Sequence, residues 1–377
     1  MRSKLVTQSA IMLIKHIIQA IETIAPPLYQ VSYDNTGIQV GNPDGEATGV
    51  LISLDVTEAV VEEAIARGCN MIVSHHPVIF SGIKKITGKN YVERIIQKAI
   101  KHDITLYAAH TNLDNMYAGI NAKIAEKLGL INTSILNPKG SILSKLYTYA
   151  PIHIADKLRD ALFAAGAGQV GNYHEASFNS IGTGTFRPGA GTNPAIGKAG
   201  GEREQVEEVR IEVLVEKHNE RAVLDALFKN HIYEEVAYEL IPLSNTNQQI
   251  GAGMVGTLPQ PMDETAFLAH VKQQMKTDCI RHTALPGRKI ERVALCGGAG
   301  SFLLPDAIRA GADIFITGDY KYHQFFDAEG KIIIADIGHY ESEQFTSEIF
   351  EAILNKKFPT FAILLSDINT NPVKYFR

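Results

Sequence analysis

The sequence predicts an α/β protein made of two related halves, with an α+β domain of ferredoxin-like element order inserted between them. Three observations carry this expectation. EEAIARGCNMIVSHH (62–76) and PDAIRAGADIFITGD (305–319) align without gaps at a constant offset of 243 residues, matching Ala64 to Ala307, Gly68 to Gly311 and Ser74 to Thr317. Each reads as a short helix, a glycine stop and an apolar strand with a polar end. The stretch between them has a different texture. Shared α/β grammar explains part of the match, but the strands GVLISLDVT (49–57) and RVALCGGAG (292–300) extend it at the same offset.

Taken in order, IMLIKHIIQAIETI (11–24) reads as an amphipathic helix. Arg2 and Lys4 before it mimic a signal peptide, but Lys15 and His16 interrupt the apolar run. The first half then runs to residue 143. KLYTYAPIHIADKLRDALFAAGAGQVGNYHEASFNS (145–180) predicts strand, helix, glycine turn and strand. VEEVRIEVLVEKHNERAVLDALFKNHIYEEVAYELIPL (206–243) predicts strand, helix and strand again. Together they define an inserted βαβ–βαβ domain over 144–243. The linker SNTNQQIGAG returns the chain to a second half over 244–377.

A chain of 377 residues is long for one domain. Its 36 basic and 41 acidic side chains leave a net charge of −5, which indicates no bulk attraction to nucleic acid or anionic membrane. Cys69, Cys279 and Cys296 make no CxxC pair and no disulfide framework, which fits a reducing compartment. No apolar run reaches membrane-span length. The expectation is a soluble cytoplasmic protein.

Several tempting motifs fail on chemistry. The glycine-rich GTNPAIGKA (191–199) puts five residues between its glycines and follows Lys198 with Ala199, so it lacks both the spacing and the hydroxyl of a P-loop. It reads as a flexible or oligomer-contacting loop. GGAGS (297–301) follows a strand, yet Leu303 stands where a dinucleotide fingerprint needs glycine. It reads as a tight turn or as a receiver of a substrate oxyanion. Cys296 beside it reads as a buried structural thiol, and no G-x-S-x-G elbow exists.

Metal chemistry has better support. NMIVSHHPVIF (70–80) leaves an apolar strand with His75 and His76. LYAAHTNLDN (106–115) ends its strand with His110 and then Asp114; KIIIADIGHYESEQF (331–345) does so with His339 and Glu343, four residues apart. An i,i+4 pair shares one helical face, and strand carboxyl ends collect on one side of an α/β sheet. Imidazole and carboxylate ligands suit zinc, iron, manganese or nickel rather than calcium. Five ligands exceed one tetrahedral catalytic set and suit two ions bridged by a carboxylate, with His75 facing one and His76 the other.

YDNTGIQVGNP, SLDVTEAVVEEAIARGCNMIVSHHPVIF, AHTNLDN, GDYKYHQF and GHYESE occur in this order along nearly the whole chain. In them the sequence resembles the Nif-three-like family, whose members bear the name GTP cyclohydrolase I type 2 homologue. Tyr33 stands where that family often has tryptophan. The resemblance implies a Nif-three-like fold with a dinuclear site of His75, His76, Asp114, His339 and Glu343. In it Glu343 bridges, with His76 and Asp114 on one ion and His75 and His339 on the other. It implies two divalent ions per chain (zinc, iron or manganese) and self-association as a toroidal homohexamer. GAGQVGNY, GTGTFRP and YEEVAYELIPL make the insertion resemble a PII/CutA-like domain, without carrying over the nucleotide binding of PII proteins.

Two functions are then open. One is a metal-dependent hydrolase of a nucleotide or related small molecule, in which His110 and His323 move a proton or orient ligands. The other is a non-catalytic metal-handling or regulatory scaffold.

Overall fold

Three four-residue apolar runs, β2 (Val50–Ser53), β3 (Met71–Ser74) and β4 (Thr105–Ala108), are buried along their entire length. Strands buried on both faces belong in a parallel sheet covered by helices, and here β2 pairs with β3 and β3 with β4 in parallel. β1 (Gly37–Val40) closes one edge antiparallel to β4, and the late strand Ile363–Leu365 adds to β2 in parallel. Helix Glu58–Ala66 is capped by the Thr57 side chain, which accepts from the Val60 amide; helix Tyr91–Lys101 is capped in the same way by Asn90. The sequence-predicted amphipathic helix spans Ile14–Glu22 and buries Ile14, Ile17, Ile18 and Ile21. This computed structural model describes residues 11–376, so Arg2 and Lys4 lie outside the described residues.

The chain divides into two compact units, Met1–Asn137 with Gln249–Arg377, and Pro138–Gln248. The first unit's second sheet contains β5 (Ile131–Gly140) and, later in the chain, Thr246–Asp263, Arg281–His282, Lys289–Leu295, Ile314–Thr317 and Ile333–Asp336. Its parallel centre repeats the first sheet. Val50 faces Met71 and Ile52 faces Val73; 243 residues on, Val293 faces Ile314 and Leu295 faces Ile316. Gly68 and Gly311, also 243 apart, stop the intervening helices with φ of 71° and 69°. The repeat breaks on the far side of that centre, where the second sheet adds the antiparallel Thr246–Asp263 strand instead of a parallel one.

The second unit holds β6 (Leu143–Pro151), helix Ile152–Ala164, β7 (Ser177–Phe186), β8 (Glu204–Glu216), helix Glu220–Asn230 and β9 (Tyr238–Leu243). Its sheet runs β7-β8-β6-β9 with every neighbour antiparallel. Along β8 the residues Val209, Ile211, Val213 and Val215 are buried in alternation, the period of a one-sided sheet. They form a core with Leu158, Leu162, Val223 and Leu227 of the two helices. The result is a βαββαβ order over a separate core. The remaining strands of the first unit are β10 (Thr246–Asp263), β11 (Arg281–His282), β12 (Lys289–Leu295), β13 (Ile314–Thr317), β14 (Ile333–Asp336) and β15 (Ile363–Leu365). Among the described residues, no helix is long and apolar enough to cross a membrane.

Because each unit buries its own core, replacing residues 139–248 by an Asn-Gly turn, which suits an antiparallel hairpin, should leave the first unit folded. Circular dichroism and a single cooperative melt of the excised protein check this. A molten or insoluble product would show that the first unit needs the second.

Candidate metal centre

β3 delivers two histidines at its carboxyl end. The Leu54 carbonyl accepts from the amides of both His75 (3.1 Å) and His76 (3.0 Å), and the Ser74 hydroxyl donates to the His76 carbonyl at 2.8 Å. These bonds splay the side chains apart. β4 runs on through Ala109, whose amide donates to the Ser74 carbonyl, to His110 and the single turn Thr111–Asp114. β14 ends at Asp336, which accepts from the Gly338 and Tyr320 amides (both 2.9 Å) and pairs with Arg281. Gly338 has φ +94°, and a Cβ there would collide with the Glu341 carboxylate; only glycine starts helix His339–Glu343 in this way.

The four imidazoles share one design. His76 Nδ1 lies 2.7 Å from Asp55, His339 Nδ1 2.7 Å from Asp319, His110 Nδ1 2.8 Å from Asp34, and His75 Nδ1 3.0 Å from the Ala109 carbonyl. An acceptor at Nδ1 places the proton there and leaves Nε2 to point at the centre, the arrangement usual for metal-ligating histidine. Glu343 Oε2 lies 2.9 Å from His76 Nε2 and 3.0 Å from His339 Nε2, and those two nitrogens are 3.3 Å apart. On the other side, His75 Nε2 lies 3.5 Å from Asp114 Oδ1 and 3.8 Å from Glu343 Oε1.

These atoms meet without satisfying one another. His75 Nε2, Asp114 Oδ1 and Glu343 Oε2 are buried and have no hydrogen-bond partner. Leaving buried polar groups unpaired costs about 1–3 kcal/mol each, and three such atoms around one point fit a cation. The donor set of imidazoles and carboxylates fits a divalent transition metal. The spacing divides them as His76 with His339 and His75 with Asp114, on opposite oxygens of Glu343. That differs from the division the family resemblance implies.

Charge in the metal-free site is strongly redistributed. Burial lowers His75 to about 4, so it is neutral. Burial also opposes protonation of His76 and His339, but the carboxylates win. Asp55 and Glu343 raise His76 to about 10, and Glu343 and Asp319 raise His339 to about 9. Burial would raise Glu343, yet His339, His75 and His76 hold it well below the usual carboxylate range. Asp114 goes the other way, raised well above that range by burial and by the Glu343 charge. Burial would likewise raise Asp34, but bonds from His110 and Thr111 hold it at about 2.

A cavity of about 760 Å³ opens onto the centre, walled by Phe80, Tyr91, Tyr340, Pro372, Val373 and Tyr375. Arg281 is the one lysine or arginine among its lining residues. His110 lines the cavity beside His75 and His76, with ring centroids 5.2 and 5.3 Å away. His323 is not brought to the centre. It sits exposed on the turn Tyr322–Ala328, against Tyr322 and Phe326, while neighbouring Gln324 anchors the turn to Ser301. In the GGAGS turn the glycine amides are already committed. Its Gly297, Gly298 and Gly300 amides donate to Asn121, Ser342 and Thr317, and a Cβ on Gly298 would strike the Glu343 carboxylate. Cys296 is buried, and burial pushes its thiol up, as a structural cysteine requires.

Sequence reasoning missed Asp34, Asp55 and Asp319. All three lie inside the quoted YDNTG, SLDVT and GDYKYH motifs, so a search for carboxylates to back the histidines would have found them.

Comparison with known proteins gives a consistent picture. The family model for Duf34/NIF3 (NGG1p interacting factor 3) matches residues 12–372. A protein of Halalkalibacterium halodurans named GTP cyclohydrolase 1 type 2 homolog is 40% identical over 365 residues, 95% of this chain and 98% of that one. One of the same name from Bacillus subtilis is 38% identical over 367 residues, 96% and 98% of the two chains. The crystal structure of a Bacillus cereus protein related to NIF3 superposes with a TM-score of 0.86 at 37% identity, covering 98% of this chain and 100% of that one.

The raised imidazoles make metal binding compete with protons. Filling the centre at pH 7 should release at least two protons per chain, from His76 and His339 and further from Asp114 to the extent that burial keeps it protonated, and apparent affinity should climb with pH until these groups have lost their protons. The same shifts stabilise the metal-free fold below the unfolded histidine value of about 6.5, and that gain is lost as pH rises through about 9 and 10. Calorimetric titration in buffers of different ionisation enthalpy measures the proton count. Metal binding without proton release would contradict these charge assignments.

Proposed function

The chain belongs to the Duf34/NIF3 family, and on that premise we propose that it holds two divalent metal ions and hydrolyses a nucleotide or related small molecule. The observation that carries this reading is the set of buried, unpartnered ligand atoms on both sides of Glu343. We assign His76, His339 and Glu343 Oε2 to one ion, and His75, Asp114 and Glu343 Oε1 to the other. The 3.3 Å separation of the His76 and His339 nitrogens supports this pairing, because two ligands about 2.0–2.1 Å from one tetrahedral ion lie about that far apart. Zinc, iron and manganese all suit the donors.

When bound, the ions supply Lewis acidity toward a substrate oxygen and toward water. The chain's own residues do the rest. Asp34 is ionised and fully buried at its side chain, and it pins Nδ1–H of His110. His110 therefore presents Nε2 to the cavity as a proton acceptor. Phe80, Tyr91, Tyr340 and Tyr375 offer flat apolar walls suited to a heterocyclic ring. Such walls also exclude water from the reacting centre.

The second unit extends the proposal. Its βαββαβ order supports a PII/CutA-like domain spanning the predicted 144–243, set between halves at 1–143 and 244–377. β7 is an edge strand with Phe178 and Ile181 exposed at 64% and 71%, and such an edge needs covering. Self-association to a homohexamer supplies that cover.

Elemental analysis after metal loading should find about two ions per chain. Glu343→Gln should lose both, and His339→Gln mainly one. Screening the loaded protein against small metabolites should find one class hydrolysed steadily, with activity lost on chelation. His110→Gln and Asp34→Asn should lose turnover while keeping both ions. Full metal loading with no substrate turned over would favour the non-catalytic scaffold.

A further inference from the structure

We propose that Thr370 and Asn371, in the C-terminal segment, are positioning residues that tie together the two sides of the ion held by His76 and His339. The proposal rests on the two-ion reading above.

The segment leaves β15 under tight control. The Leu365 carbonyl accepts from Arg67 at 2.9 Å, the Ser366 hydroxyl lies 2.5 Å from the Glu63 carboxylate, and the Asp367 amide donates to the same carboxylate at 3.0 Å. These anchors deliver the next turn to the mouth of the cavity, where Thr370, Asn371, Pro372, Val373 and Tyr375 form one wall.

Two adjacent side chains then reach opposite ways. The Thr370 hydroxyl donates to Asp55 Oδ2 at 2.6 Å, while Asp55 Oδ1 holds His76 Nδ1 at 2.7 Å. Both oxygens of Asp55 are thus committed, which fixes the carboxylate plane and with it the rotation of the His76 ring. Asn371 Nδ2 donates to Glu341 Oε1 at 3.1 Å. Glu341 is buried, lies over Gly338, and belongs to the same five-residue helix as His339 and Glu343. Asn371 is itself held, because its Oδ1 accepts from the Val373 amide and its own amide donates to Asn369.

One dipeptide therefore spans the loop after β2, on the first sheet, and the helix after β14, on the second. The His76–His339 ion draws its ligands from both sides, so its geometry depends on their relative placement. The His75–Asp114 ion takes only Glu343 Oε1 from the second side, so it depends less on that placement. His75 and Asp114 follow strands of the first sheet, and His75 is aimed by a backbone carbonyl of that sheet. Loosening Thr370 and Asn371 should weaken the His76–His339 ion, which has two ligands on that helix, more than the other, which has one. A role confined to fold stability would not discriminate between them.

The test is a calorimetric Zn²⁺ titration of the full chain, with elemental analysis and circular dichroism as controls. Thr370→Val and Asn371→Leu remove the polar contacts at nearly constant volume. In the double variant one dissociation constant should rise about tenfold, the low end of what losing an outer partner of a metal ligand costs. The other should stay within about twofold, and Thr370→Ser alone, which keeps the hydroxyl, should behave as wild type. In a His339→Gln background, where that ion is already weakened, the same pair of substitutions should add little. Equal weakening of both ions, no change in either, or full additivity with His339→Gln would overturn the proposal. A wild-type chain that binds fewer than two ions would instead defeat the two-ion reading and remove this proposal with it.

Discussion

The first unit is organised around one buried carboxylate. Glu343 is 2% exposed and remains ionised between three imidazoles. Moving a carboxylate out of water costs several kcal/mol unless charge and hydrogen bonds compensate it. That requirement explains features that look unrelated along the chain. Gly298 must lack a Cβ because Glu343 occupies the space, and Gly338 must take a positive φ to start the helix that carries it. Asp55 and Asp319 must stand behind His76 and His339 so that those rings face Glu343 rather than solvent.

The duplicated scaffold makes this concentration of charge achievable. The parallel centres of the two sheets each end their strands in short polar loops, and helical turns follow. Equivalent positions do different work in the two halves. His75 and His76 follow β3, while Gly318 and Asp319 stand at the same offset of 243 after β13. A Cβ on Gly318 would press on the Gly338–His339 backbone, and Asp319 holds His339 from behind. At these two positions the first sheet places imidazoles at the centre, and the second supplies room and an outer acceptor. One framework used twice yields an asymmetric centre.

Much of this was legible in the residues because local chemistry determines it. The helix–glycine–strand grammar repeats in sequence and returns in space with the same strand register. His75, His76, Asp114, His339 and Glu343 all sit at strand ends or one helical turn beyond, and the structure brings them together. His323 misled because a histidine in a motif-like loop carries no signal of direction; only packing decides that its turn faces outward. The spatial pairing of His76 with His339 and of His75 with Asp114 was equally hidden, since adjacent histidines can point either way until the Leu54 carbonyl and Asp55 fix them. Thr370 and Asn371 had no sequence signature at all. Their importance comes from contacts 315 and 30 residues away.

The account depends on Glu343 serving two different ligand sets through its two oxygens. Anomalous diffraction from crystals of the zinc-loaded protein, collected on both sides of the zinc edge, addresses this directly. The account predicts two zinc peaks, about 3.5–4 Å apart as in other two-metal centres. One should be bonded to His76, His339 and Glu343 Oε2, the other to His75, Asp114 and Glu343 Oε1. A single peak, or a pair in which His76 shares its ion with Asp114, would contradict it.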